Sequence, residues 1–191
     1  VGYSKYVIEL NTPYESYKLN QSSRGTDFHL KLIRSGYIEE ALIEHSIDSV
    51  WINSGIWDFW HIERRYSISP EKYYDNLLNI FKWYNERGLR IFWCMTTYHR
   101  DDPKYDEIAV VFNEQALRAC SESGITHIFY PSRVLENMSY SKAGLRLGGT
   151  DHVDPMHFDN LTYERWGEKI VEFIEDSVLT LQPAPDSDAT V

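Results

Sequence analysis

A chain of 191 residues is long enough for one compact domain that buries a sizeable core without disulfide or metal staples. Hydrophobic residues at 42% and charged residues at 25% exclude a disordered, collagen-like or disulfide-framework chain. The formal net charge of −10 excludes the basic footprint that a nucleic-acid partner requires.

No apolar run approaches the ~18 residues of a membrane-spanning helix, so no transmembrane segment is expected. The sequence opens on Val1 with no Met and no signal-peptide pattern, and reads as a processed or truncated piece. Cys94 sits in an apolar run and Cys120 on the apolar face of an expected helix. Both read as buried small hydrophobes rather than reactive thiols. Asn20, Asn137 and Asn160 each begin an N-x-S/T sequon, which is compatible with a secretory route without fixing the compartment.

In chain order, residues 6–10 and 27–33 alternate apolar and polar side chains as strands do. Residues 35–45 carry Tyr37, Ile38, Ala41 and Leu42 at helical spacing. Residues 48–52 are a short apolar run entering Asn53-Ser54-Gly55, the pattern of a buried strand that ends in a polar loop. Ser69 can cap the next helix, and Pro70 suits its first position, where no amide partner is needed. Tyr74, Leu77, Leu78 and Phe81 give that helix an apolar face, and Gly88 ends it. Residues 89–95 read as a buried strand. Ile108, Val111, Phe112, Ala119 and Cys120 mark an amphipathic helix closed by Gly124, and residues 126–130 a further strand. Tyr163, Trp166, Ile170, Phe173 and Ile174 mark the last helix. The expected organisation is one domain over 1–180 and a polar, Pro-rich tail over 181–191.

Helices of this length between short apolar strands imply parallel crossovers, hence an α/β fold: a three-layer α/β/α sandwich around a flavodoxin-like parallel sheet. Ligands bind such sheets beyond the carboxyl ends of the strands. The loops that matter are then 53–58, 96–102 and 131–157. The third holds Asp154-Pro155-Met156-His157 just before the last helix. An imidazole there can take a proton from a nucleophile while a carboxylate fixes its tautomer. The first holds Asn53, whose amide can donate to a developing oxyanion. His152, Asp154 and His157 could also ligate a metal ion. No third-strand carboxylate or further His cluster supports that alternative, and neither a metal nor a cofactor is expected.

These blocks resemble the SGNH (GDSL-type) hydrolases, and within them the PC-esterase branch. The residues that carry the resemblance are Ile47 to Asp58 (Ile-Asp-Ser-Val-Trp-Ile-Asn-Ser-Gly-Ile-Trp-Asp), Tyr74-Asp75-Asn76-Leu77-Leu78, Ile91-Phe92-Trp93 and Asp154-Pro155-Met156-His157-Phe158. It covers roughly residues 26–178. The family sets four blocks on a flavodoxin-like sheet: a Ser after the first strand, a Gly after the second, an Asn after the third, and an Asp/His pair before the last helix. The resemblance implies His157 as general base, Asp154 as its orienter and Asn53 as the oxyanion-hole side chain. Trp57 and Asp58 would shape the Asn53 loop.

The sequence departs from the family in one place, because it holds no Gly-Asp-Ser, the stretch that carries the nucleophile. Ser54 is a poor substitute. It adjoins Asn53, and neighbouring residues of an extended chain point apart. Two readings follow. One is an esterase acting on a small-molecule, glycan or lipid ester, with its serine upstream of Val1. The other is an inactive relative that binds a carbohydrate or acyl ligand. Whether the chain is an enzyme, and its oligomeric state, are not fixed by the sequence.

Overall fold

Three parallel strands, β1 (Ser49–Asn53), β2 (Arg90–Cys94) and β3 (His127–Phe129), lie side by side in that order in the computed structural model. The structure describes residues 15–18, 25–59, 68–97, 103–136, 145–147, 153–158 and 160–179. Asn53 pairs with Cys94, and Cys94 with Phe129, so the strands end in one row at the carboxyl edge. The described residues hold seven helices and a second, two-stranded sheet.

Strand periodicity sends alternate residues to opposite faces. On one face Ile52, Ile91, Trp93 and Met95 pack with four helices. These are α1 (Thr26–Arg34), α2 (Tyr37–Glu44), α4 (Pro70–Asn85) and α5 (Pro103–Glu122). The short α3 (Ile56–Phe59) sits between β1 and α4 and adds Phe59 to this core. On the other face Trp51, Cys94 and Phe129 pack with Tyr163, Trp166, Ile170 and Phe173 of α7 (Asn160–Leu179). The sheet is therefore covered on both sides, as the sandwich requires. Each fully buried side chain such as Leu77 or Phe81 stabilises this arrangement by roughly 1.5–3 kcal/mol.

The capped helix forms where expected. Ser69 accepts from the Lys72 N–H at 3.2 Å, Pro70 occupies the first turn, and the helix ends at Asn85, ahead of Gly88. Its buried face is Tyr73, Tyr74, Leu77, Ile80, Phe81 and Tyr84, with Leu78 at the margin.

Residues 27–33 are a correction: they are helix α1, not a strand. Phe28, Leu30 and Leu32 mimic a period of two, but Thr26 and Leu30, one turn apart, are the residues that α1 buries. Asp27 in the first turn and Lys31 and Arg34 in the last complement the helix dipole. The expected strand at 6–10 and the tail at 181–191 lie outside the described residues.

The stretch 131–157 is also not a single loop. It contains α6 (Pro131–Glu136), β4 (Leu145–Leu147) and the start of β5 (Val153–Phe158). β4 and β5 form a separate antiparallel pair with Leu145 opposite Phe158 and Leu147 opposite Val153. Among the described residues no helix is long and apolar enough to cross a membrane.

Candidate active site at the carboxyl edge

Asn53 is the last residue of β1 and shares its face with Trp51, the side covered by α7. Its Nδ2 donates to the Cys94 carbonyl at 3.0 Å and lies 3.4 Å from that of Met95. The amide is thus held across the end of the neighbouring strand.

Ser54 points the other way, into the helix layer. Its Oγ donates to Asp58 Oδ2 at 3.0 Å. Its carbonyl accepts from Tyr73 Oη at 2.9 Å and from Thr96 Oγ1 at 3.0 Å. The backbone turns at Gly55, where φ is 137° and a Cβ would collide with Thr96 Oγ1. Only glycine admits this turn and this approach together.

Asp58 is 3% exposed and accepts three hydrogen bonds, from the Thr26 N–H, the Thr26 hydroxyl and Ser54 Oγ. Burial nevertheless holds its carboxyl above the usual range, outweighing the donors that pull it down. Asn76 continues the network to Thr26 Oγ1 and Asp27 Oδ1, both at 2.9 Å. Gly25, which opens α1 at φ 100°, packs so closely that a Cβ there would lie 3.0 Å from Asp58 Oδ1. Asp58 therefore shapes the loop that follows Asn53. Trp57, its neighbour, is 46% exposed.

Asp154 and His157 fall on β5, in a strand rather than the loop expected of them, and α7 begins three residues after His157. α7 packs along this face: Phe173 meets Trp51, Phe92 and Phe129 at 6.3, 6.2 and 5.5 Å between ring centroids, and Tyr163, Trp166 and Ile170 share one buried cluster with Cys94 and Phe129. Residues 98–102, 148–152 and the basic cluster at 63–65 lie outside the described residues, so His152 and the loop after β2 beyond Thr97 do too.

Other conspicuous residues have structural roles. His29 Nε2 lies 2.9 Å from Tyr84 Oη, and burial lowers its pKa to about 4, so the imidazole is neutral. Cys94 and Cys120 are buried thiols that form no disulfide, and burial pushes the Cys120 thiol up to about 12. Trp93 is fully buried and Trp51 packs beneath α7.

Sequence reasoning missed Tyr73, Thr96 and Asn113. Asn113 Oδ1 accepts from the Thr96 N–H and its Nδ2 donates to the Thr96 carbonyl, both at 3.0 Å. The available signal was a polar residue beside Phe112 on the apolar face of α5.

No protein-family model matches the chain, and no curated protein matches it in sequence. Solved structures do match it in fold. An acetyl xylan esterase from Geobacillus stearothermophilus superposes with a TM-score of 0.69 at 15% identity, covering 91% of this chain and 81% of the esterase. A protein assigned to the G-D-S-L lipolytic family from Desulfitobacterium hafniense gives 0.66 at 11% identity, covering 90% and 87%. The acetyl xylan esterase AlAXEase gives 0.64 at 12% identity, covering 93% and 90%. These likenesses show that the chain shares the α/β fold of those proteins.

Proposed function

We propose that residues 1–180 form the base-and-oxyanion part of an SGNH-type ester hydrolase of the PC-esterase-like branch. Its substrate would be an acyl or O-acetyl ester on a glycan, a lipid or a small molecule. In this reading His157 is the general base, Asp154 holds its tautomer, and Asn53 donates to the oxyanion. The observation that carries the reading is the Asn53 amide, fixed at the carboxyl edge on the face covered by α7, the helix that β5 leads into. Two of the solved structures named above are acetyl xylan esterases, and a catalytic mutant of the Geobacillus enzyme replaces a serine by alanine.

The chemistry follows from these roles. A serine hydroxyl attacks the ester carbonyl carbon while His157 takes its proton. The carbonyl oxygen becomes an oxyanion and accepts from Asn53 Nδ2. In this reading the Cys94 carbonyl, at 3.0 Å, keeps one N–H of Asn53, and the second leaves the Met95 carbonyl, 3.4 Å away, for the oxyanion. The tetrahedral centre collapses, the alcohol leaves with the proton from His157, and water then attacks the acyl-enzyme by the same route. The chemistry calls on no cofactor.

The nucleophile is the serine of a Gly-Asp-Ser block that these 191 residues do not contain. That observation also favours a second reading, a binding module for a carbohydrate or acyl ligand that lacks turnover. Labelling with a serine-directed fluorophosphonate separates the two. The 191-residue chain is expected not to label. A form that also carries Gly-Asp-Ser after an apolar strand is expected to label and to hydrolyse p-nitrophenyl acetate, and His157→Ala in that form should abolish turnover. Absence of turnover in the longer form favours the binding module. Specific labelling of a serine within the 191 residues contradicts both.

A further inference from the structure

We propose that Asn113 is the positioning residue for Asn53. The inference rests on the reading of Asn53 as an oxyanion donor. Asn113 lies in α5, is 7% exposed, and spends its carboxamide on the backbone of one residue, Thr96. Asparagine is unfavourable within a helix, and a buried amide is costly unless bonded, so the site is built around these contacts.

The Thr96 N–H that donates to Asn113 belongs to the same peptide group as the Met95 carbonyl. That carbonyl lies 3.4 Å from Asn53 Nδ2. The preceding peptide, whose carbonyl takes the shorter 3.0 Å bond from Asn53, is held by the Met95 N–H donating to the Phe129 carbonyl, also at 3.0 Å. Asn53 therefore lies across two consecutive carbonyls whose planes are set from behind. Phe129 sets one by ordinary sheet pairing, and Asn113 sets the other just past the last residue of β2.

The same residue controls the backbone of the Asn53 loop. With its N–H and carbonyl both fixed by Asn113, Thr96 turns its hydroxyl onto the Ser54 carbonyl at 3.0 Å. Ser54 follows Asn53 directly, so this bond helps fix the backbone on which the Asn53 side chain is carried. Asn113 thus acts on Asn53 by two routes, through an acceptor of its amide and through its neighbour's carbonyl. A donor misplaced by about 1 Å loses up to about 100-fold in rate, so such support matters to catalysis.

The test reads the Asn53 side-chain amide by nitrogen-15 NMR in the 191-residue chain, so it does not depend on turnover. Asn113→Ala should shift the Asn53 Nδ2 resonances and speed their exchange with solvent by about 10-fold or more. Asn113→Asp keeps an acceptor for the Thr96 N–H and should retain more of the native signal. Asn79→Ala, which removes an exposed bond to the Asp75 carbonyl, should change nothing at Asn53. A folded Asn113→Ala chain with unchanged Asn53 resonances overturns the proposal. If that variant does not fold, trans-hydrogen-bond couplings in the unaltered chain decide. Those from Thr96 N to Asn113 Cγ and from Asn53 Nδ2 to the Cys94 carbonyl carbon must both be present, and absence of either overturns it.

In a longer form that turns over ester, Asn113→Ala should lower kcat by about 10- to 100-fold with KM little changed. Combined with Asn53→Ala it should add nothing further. Additive losses overturn the proposal. A longer form with no ester turnover defeats the esterase reading and leaves the NMR result to stand or fall alone.

Discussion

Asp58 Oδ1 accepts both the backbone N–H and the hydroxyl of Thr26, at 2.8 and 2.6 Å. Helix α1 has no cap of its own, because Gly25 offers no side chain. Asp58 supplies the cap from a distant part of the chain and also takes the Ser54 hydroxyl. One carboxylate therefore ties the start of α1 to the loop after Asn53. Asp58→Ala removes the acceptor of the Thr26 N–H and of the Thr26 and Ser54 hydroxyl protons in a buried place. It should destabilise the chain by about 3 kcal/mol, read from denaturant unfolding. Asp58→Asn keeps the shape and should cost less.

Gly55→Ala tests the turn that follows Asn53. The substitution must adopt φ 137° and push Thr96 Oγ1 aside, so it carries both strain and a broken bond to the Ser54 carbonyl. A loss of about 2 kcal/mol or more is expected in thermal or denaturant unfolding. A neutral result would mean that the loop can be rebuilt without the Thr96 bond.

His29 makes stability depend on pH. Its folded pKa is about 4 against an ordinary value of 6.5, because burial disfavours the imidazolium. Between these values the unfolded chain binds the proton and the folded chain does not. Stability therefore falls as pH drops from 6.5 to about 4, by at most about 3 kcal/mol. His29→Gln should flatten this part of the stability profile, and an unchanged slope would place the titration elsewhere.

The parallel sheet was legible in the sequence because Val50-Trp51-Ile52 and Ile91-Phe92-Trp93 are short apolar runs. They are separated by a helix with its own cap at Ser69 and proline at Pro70. α1 was not legible, since Phe28, Leu30 and Leu32 satisfy both periods and only tertiary packing on Leu30 and Thr26 decides between them. β4 and β5 escaped notice because a two-stranded pair among glycines and aspartates has little apolar alternation. Asn53 stood out as an amide at a strand end. Asn113 did not, because its partner Thr96 is fixed by how α5 packs on the sheet and no spacing encodes that.

Asn53→Ala tests the oxyanion role in a longer form that turns over ester. Loss of the donor should lower kcat by about 10²- to 10³-fold and change KM little. A fall confined to KM would make Asn53 a binding contact only.

The account depends most on Asn53 and His157 serving one reacting carbon. The measurement that tests this directly is the separation of their side chains in a crystal structure. Oxyanion donor and base attached to one site should lie within about 10 Å of each other at the carboxyl edge. Side chains on opposite edges of the β1-β2-β3 sheet would contradict the account.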